Sequence, residues 1–392
     1  MNARNIERLP FLPVPYHAAS GVRRKLLAAV AHRLTLTTLL ALLMTWTDGA
    51  ARAEEYQLFT IAGDLRWPWS VARLPDDSFL ITEREGRLIH LDVRGNRQVV
   101  KGAPATLFAG QGGFFDIALH PDFSTNRLIY LSYAEGSPQA NRTAIYRARL
   151  IDDRLESGRQ ILRVSPDKNT PQHYGGRMLF LKDNTLLLTT GEGFEHREEA
   201  QSRDSELGKV LRIDDSGNPA GMSSALDGKL TRIFSLGHRN PQGLSADPQT
   251  GAIYLHEHGP RGGDELNRLD QGKNYGWPAV THGVDYSGAY VSPFKRAPAM
   301  VDPLWTWVPS IAPSGMAWYN GHAFPEWRSS LLIGALVDKE VRRLQIHDGK
   351  VVKEEALFGE LESRIRDVRV FGEDIFLLTD SEQGSLIQVL PR

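Results

Sequence analysis

His173, in Gln172-His173-Tyr174-Gly175-Gly176-Arg177, precedes a strand-like segment, and the partner strand that follows ends at Glu192. An imidazole with a carboxylate behind it is the arrangement of a general base, because the carboxylate fixes the tautomer and stabilises the imidazolium. Read alone, the same His is a hydrogen-bonded loop residue. Gly259-Pro260 followed by Asp264 and Glu265 sets backbone carbonyls beside carboxylates, the hard oxygen ligands that calcium takes. Carboxylates that cap turns, or that pair with Arg261 or Arg268, account for the same spacing, and no run here has the EF-hand pattern.

Arg239 lies in a turn stiffened by Pro241 and Gly243, and Arg364 and Arg366 alternate, so an extended segment aims the last two at one face. Taken together the three suit a polyanionic small molecule held by forked hydrogen bonds; taken singly each suits a surface ion pair. His256 and His258 flank Glu257 without the i, i+4 helical spacing of a zincin, which argues against zinc. No G-x-S-x-G elbow supports serine hydrolysis. The chain has no cysteine, which removes disulfides, thiolate metal sites, a catalytic thiol and any C-x-x-C-H haem attachment.

What could bring these scattered residues together is a repeat. Strand-like segments begin at Ser70, Asp116, Arg177, Gly243, Gly315 and Asp367, spaced 46, 61, 66, 72 and 52 residues apart. Each runs into a turn rich in Asp, Asn and Gly and then into a strongly apolar partner: SFLITERE, RLIYLSYA, TLLLTTGE, AIYLHEHG, SLLIGALV and DIFLLTDS. A third strand follows in five of the six units, and no later stretch carries a sustained helical apolar face. Six units of this length predict an all-β chain folded as a six-bladed β-propeller of four-stranded antiparallel blades, which fits better than a pair of β-sandwiches. The loops at one end of its channel would converge on a single site.

The first 53 residues stand apart. Arg23-Arg24-Lys25 and Arg33 precede an apolar run from Leu34 to Trp46 and the triplet Ala51-Arg52-Ala53, a pattern that predicts a signal peptide cleaved after Ala53 and a periplasmic or secreted mature domain over 54–392. The apolar run is shorter than the roughly 20 residues a membrane span needs. The processed chain would carry 39 basic and 45 acidic residues, net −6, with no basic cluster interleaved with aromatics, so nucleic acid is not expected as a partner.

GQGGFFDIALHPDF, HYGGRM, LGKVLRID, GHRNPQGL, EHGPRGGDELN, GKNYGWP, PSIAPSGMAWY and RIRDV occur in this order, and with them the chain resembles the soluble quinoprotein glucose and aldose-sugar dehydrogenases, grouped with the sorbosone dehydrogenases. The resemblance implies pyrroloquinoline quinone (PQQ) over the channel, calcium beneath it and a small-molecule aldose substrate; the sequence leaves open a mono- or oligosaccharide, the electron acceptor, and a monomer or homodimer. It implies that His173 is the base acting on the anomeric hydroxyl, supported by Glu192 where the family commonly has Asp. Gln111 would lie near substrate and cofactor, Arg239 and Asn240 at the quinone oxygens, and Arg364 and Arg366 on the cofactor from the last blade. Gly259 and Pro260 would offer carbonyls to the cofactor's calcium, and Asp264, Glu265 and Tyr275 would form a second, structural calcium site. Ser310 stands where some relatives have Thr. Val337 stands where the family often has a Lys paired with a cofactor carboxylate, and Lys339, two residues on, is a candidate substitute. A calcium-dependent lactonase and a non-catalytic binding propeller are the rival readings, since a fold alone fixes no function.

Overall fold

In the computed structural model, the residues described are 56–220 and 231–392; the predicted leader and its cleavage point after Ala53 lie outside them. Among the described residues, twenty-four strands form six four-stranded antiparallel sheets. After β1 (Tyr56–Leu65), the first blade is β2 (Pro68–Arg73), β3 (Phe79–Glu83), β4 (Arg87–Leu91) and β5 (Arg97–Val99). The second is β6 (Phe114–Leu119), β7 (Leu128–Ser137), β8 (Ala140–Ile151) and β9 (Arg154–Arg163). The third is β10 (Gly175–Phe180), β11 (Leu186–Thr190), β12 (Lys209–Ile213) and β13 (Ile233–Leu236), and the fourth is β14 (Pro241–Ala246), β15 (Ile253–Glu257), β16 (Asp264–Leu269) and β17 (Trp305–Trp307). The fifth is β18 (Pro313–Tyr319), β19 (Ser330–Ala335), β20 (Val341–His347) and β21 (Lys350–Leu357). The sixth takes β22 (Ile365–Phe371), β23 (Asp374–Thr379) and β24 (Gly384–Pro391), and borrows β1 as its outer strand.

The six-bladed expectation therefore holds, with each anticipated first strand innermost in its sheet. The second strands read as unbroken apolar runs because each blade is covered on both faces by its neighbours: all five residues of β3 and of β11 are buried. Leu80 and Leu88 of the first blade pack with Ile117, Ile129 and Leu131 of the second, and Leu186, Leu188 and Leu211 of the third pack with Tyr130 and Ile145 of the second. Each such Leu stabilises the ring by about 1.5–3 kcal/mol, and truncating one to Ala costs about 2–5 kcal/mol.

The fourth blade supplies the third strand that its sequence hides. DELNRL is β16, paired with β15 through Glu265 opposite Glu257 and with β17 through Glu265 opposite Thr306. Leu266 and Leu269 are three residues apart and fall on opposite strand faces, so they give no two-residue alternation, although both are buried.

Charged groups fill the channel where the inner strands meet. Arg177 of β10 reaches Asp367 of β22 at 2.8 Å and donates to the carbonyl of Gln242 on β14 at 2.7 Å. Arg369 of β22 bonds Asp116 of β6, whose carboxylate also accepts Ser70 Oγ of β2 at 2.6 Å. Five blades are thus cross-linked about the axis. All six inner strands also break register with their partners near their starts, at Pro68/Ser70, Phe114/Ile117, Gly175/Met178, Pro241/Gly243, Pro313/Met316 and Ile365/Asp367. Irregularities of this kind bend a strand and re-aim its end, and they gather beside active sites.

Candidate active site

Antiparallel pairing puts the start of each inner strand beside the end of the second strand of its blade, so both kinds of loop open on one face of the ring. His173, Asn240, Ala312 and Arg364 precede β10, β14, β18 and β22, whereas Arg84, Glu192, Gly259, Val337 and Asp380 follow β3, β11, β15, β19 and β23. With Gln111, which precedes β6, and Phe115 of β6, residues from all six blades meet there.

His173 Nδ1 lies 3.0 Å from Glu192 Oε1, with both side chains buried. The backbone makes this contact possible. His173 has a positive φ of 46°, and Gly191 lies so close under it that a Cβ there would meet the His173 carbonyl oxygen at 2.2 Å. Gly175, at φ +66°, likewise leaves no room against Thr189. Gln111 Oε1 accepts the His173 N–H at 2.9 Å. Burial drives the imidazole down to about 4, against the raising effect of its Glu192 hydrogen bond, so it is neutral at pH 7. Among the described residues none bonds its Nε2, which leaves that nitrogen's lone pair for a substrate proton when Nδ1–H faces Glu192.

Next to this pair is a cavity of about 680 Å³ whose wall includes Arg84, Gln111, Asn240, Val337, Arg364 and Arg366. Arg364 Nε and Arg366 Nε each donate to Asp380 at 3.1 Å, one to each carboxylate oxygen, as expected for two residues on one strand face. Burial raises the Asp380 carboxyl, and Arg366 and Arg364 more than offset this and hold it below its usual range. Arg84 donates to the carbonyls of Gly110 at 2.7 Å and Gly112 at 3.1 Å; burial and then Arg366 push its guanidinium below its ordinary value. Arg364 and Arg366 thus share one carboxylate, and the third guanidinium of this wall, Arg84, is bonded to backbone carbonyls.

Arg239 spans from this region to the next blade. Its Nη1 donates to the Gly259 carbonyl at 2.7 Å, its backbone N–H to Glu257, and its guanidinium lies 5.3 Å from the Trp277 ring centre. Asn240 Oδ1 accepts the Gly175 N–H at 3.3 Å.

The residues expected at calcium divide into two groups. Asp264 accepts the Gly259 N–H at 2.9 Å, the Ala312 N–H at 2.9 Å and the Ser310 hydroxyl, and so ties the loop after β15 to the loop before β18. Ser310 acts on that carboxylate and does not line the large cavity. Glu265 and Tyr275 border a void of about 10 Å³ together with Glu257 and Gly259, and burial followed by the Glu257 charge pushes the Glu265 carboxyl well above its ordinary value. The Tyr275 hydroxyl is engaged elsewhere, donating to the Arg268 carbonyl at 2.7 Å. Pro260 lines a separate cavity with Glu192 and Arg239. Among the described residues no three His, Asp or Glu side chains cluster as metal ligands, so a cation here would draw on carbonyls and single carboxylates. His258 Nε2 meets the Pro313 carbonyl at 2.7 Å, and His256 is buried within β15.

Two expectations about the cavity wall need restating. Lys339 is exposed in the turn after β19 and is absent from the wall, so it does not stand in for Val337. Arg84, unremarked in the sequence, takes a place there; the Thr82-Glu83-Arg84-Glu85-Gly86 turn reads as solvated surface until the first blade meets the sixth.

The glucose/sorbosone dehydrogenase family model matches residues 65–388. The aldose sugar dehydrogenase YliI of Escherichia coli (strain K12) is 40% identical over 339 residues, covering 83% of this chain and 90% of that protein. The apo crystal structure of the soluble aldose sugar dehydrogenase from Escherichia coli has a TM-score of 0.82 at 37% identity, covering 86% of this chain and 100% of that one. The PQQ-bound aldose sugar dehydrogenase from Streptomyces coelicolor has a TM-score of 0.70 at 25% identity, covering 85% of this chain and 98% of that one. Because the family match runs from the end of β1 into β24, and so through every blade that contributes to the site, the chain is a sugar dehydrogenase of the glucose/sorbosone dehydrogenase family.

Proposed function

We propose that the protein is a PQQ- and calcium-dependent aldose dehydrogenase that oxidises the C1 hydroxyl of a cyclic sugar to the lactone, acting outside the cytoplasm after loss of its leader. The observation that carries this reading is the neutral, buried His173 held by Glu192, its backbone N–H bonded to Gln111, which lines a cavity with an excess of guanidinium groups.

The donor set fits the cofactor. PQQ is a flat polycarboxylate, and Arg84, Arg364 and Arg366 outnumber Asp380, while Gln111 and Asn240 offer amides and Ala312, Leu336 and Val337 offer an apolar surface. The donor set also fits calcium. The carbonyl of Gly259, which already accepts Arg239, and that of Pro260, on the neighbouring cavity, are the hard oxygens nearest the site, and a second cation beside Glu265 would relieve its crowding against Glu257. Asp264 supports both places by holding the loop, with Ser310 as its donor.

When bound, PQQ supplies the two-electron acceptor for the hydride of C1, and calcium supplies a Lewis acid beside it. His173 Nε2 takes the proton of the C1 hydroxyl as the carbonyl forms. Glu192 keeps the Nδ1 proton and offsets the positive charge that develops on the ring. Arg239 is anchored on the Gly259 carbonyl and holds a fixed positive charge beside the reacting oxygens.

Titration of the calcium-loaded protein with PQQ, followed by an aldose in the absence of any electron acceptor, tests the reading. Binding followed by sugar-dependent loss of the oxidised quinone absorbance is expected; failure to bind PQQ at micromolar concentration overturns it.

A further inference from the structure

Lys168 is buried, and its ammonium meets only uncharged groups. Nζ donates to Asn141 Oδ1 and to the Thr170 carbonyl, each at 2.6 Å, and lies 3.4 Å from the ring centre of Tyr174. A cation buried in this way is costly unless an opposite charge lies near. The fold supplies one across Gly193. That glycine, at φ +82°, lies against the lysine stem, and a Cβ on it would meet Lys168 Cδ at 2.8 Å. Its neighbour in the chain is Glu192, also buried, with Oε1 on His173 and Oε2 without a hydrogen-bond partner among the described residues. Burial drives the Lys168 ammonium down to about 7, and the attraction of Glu192 acts against that fall.

The partners of the lysine also hold both members of the His173–Glu192 dyad. Tyr174, next to His173, donates its hydroxyl to Asn141 Oδ1 at 2.7 Å, and its carbonyl accepts the Thr143 hydroxyl at 2.7 Å. The Thr170 hydroxyl donates to the carbonyl of Gly193, next to Glu192. Asn141 and Lys168 exchange backbone hydrogen bonds in both directions at 2.9 Å. The ammonium is therefore a fixed charge beside the dyad. The charged and titratable groups around the two are Tyr174 under the ammonium, His196 across Gly193, and Arg239 and His258 near the imidazole. Arg142 and Asp167, which flank Asn141 and Lys168 in the chain, pair with each other at 2.6 Å.

We propose that Lys168 is a positioning residue for the base: its ammonium offsets the buried Glu192 carboxylate and opposes proton uptake by the dyad, which keeps His173 Nε2 free for substrate in mildly acidic surroundings. The proposal rests on the reading of His173 as the base. A positive charge several Å away disfavours a proton on either member of the dyad, by about 10-fold in proton affinity at an effective dielectric constant of roughly 20. Below pH 6 Lys168 is charged in the folded and the unfolded chain alike, so its own titration adds no slope to stability there, and it acts on that slope only through its neighbours.

Urea midpoints of the cofactor-free protein from pH 6 to 4.5 test the proposal. In the wild-type protein stability falls across this range as the unfolded chain takes up the proton that buried His173 refuses. Lys168→Met raises the proton affinity of the dyad, so the part of the fall due to His173 should shrink by about a third. Lost packing alone lowers the midpoint at every pH alike, and a slope that does not change overturns the proposal. If the Met variant does not fold, Lys168→Gln, which keeps a donor for Asn141, is read in the same way. Glu192→Gln reads the coupling with the lysine in place. The folded protein then gives up the ammonium proton more readily, so the gain in stability on raising the pH through about 7 sets in at lower pH, and an unchanged onset overturns the pairing. In the PQQ- and calcium-loaded enzyme the acid limb of kcat/KM moves to higher pH in Lys168→Met, and a limb that stays in place also overturns the proposal. Failure of the wild-type protein to oxidise any aldose instead strikes at the proposed reaction, and the urea measurements still decide the role of Lys168.

Discussion

The backbone N–H of Glu192 donates to the carbonyl of Arg239 at 2.9 Å. This bond ties the backbone of the third-blade carboxylate that orients the base to that of the fourth-blade residue carrying the nearby guanidinium. The same Glu192 keeps its second oxygen, Oε2, without a hydrogen-bond partner among the described residues, so its charge is directed chiefly at His173.

Replacing the base should separate chemistry from binding. His173→Gln is expected to lower kcat by about 10²–10⁴ while PQQ affinity stays within a few-fold. Glu192→Gln keeps a hydrogen-bond acceptor for Nδ1 and should cost less. Single-turnover absorbance with glucose reads both, and full activity in His173→Gln would remove the residue from the mechanism.

Acid should destabilise the protein through the same imidazole. The folded value of about 4 lies below the ordinary 6.5, so between these pH values the unfolded chain binds the extra proton. The contribution to stability is complete above pH 6.5, shrinks as pH falls through that window and amounts to about 3 kcal/mol in total. Urea midpoints measured from pH 7 to 4.5 should fall less steeply in His173→Gln than in the wild-type protein.

The arginine wall makes a prediction that is specific to this chain. Arg84→Gln should weaken PQQ binding by about 10-fold or more, since a hydrogen bond to a charged group contributes about 1.5–3 kcal/mol. Val337→Lys, which adds a cation to the same wall, should restore much of it. Fluorescence titration of the cofactor-free protein measures the single and double variants.

Calcium should raise the melting temperature, and chelation should reverse the gain. Glu265→Gln is expected to reduce the calcium-dependent increment. Ser310→Ala should lower the melting temperature with and without calcium alike, because its hydroxyl serves Asp264 in the loop. Scanning calorimetry with and without calcium separates the two effects.

Legibility in the sequence followed burial. The second strands announced themselves because both of their faces are covered, which leaves no polar alternation. Outer strands did not: Arg97, Gln98 and Val99 of β5 are all exposed, and nothing in their types marks a strand. His173, Glu192, Arg364 and Arg366 were legible because an imidazole or a guanidinium near a strand end is chemically distinctive. Arg84 was not, because its meaning depends on Arg366, which lies 282 positions later and becomes its neighbour only when the ring closes. For Asp264 the spacing shows a carboxylate among carbonyls and does not show the three donors that hold its oxygens.

Closure of the ring also constrains the order of assembly. β1 pairs along its length with β24, Tyr56 opposite Pro391 and Thr60 opposite Ile387, so the first of the described strands to be synthesised has no partner until the last has been made. Contacts so far apart in the chain form slowly, and until they do the outer edge of β24 is an open template. A chain nicked or shortened within Tyr56–Leu65 would keep five complete blades and still present that edge to another copy, so loss of one peripheral strand would show up first as aggregation.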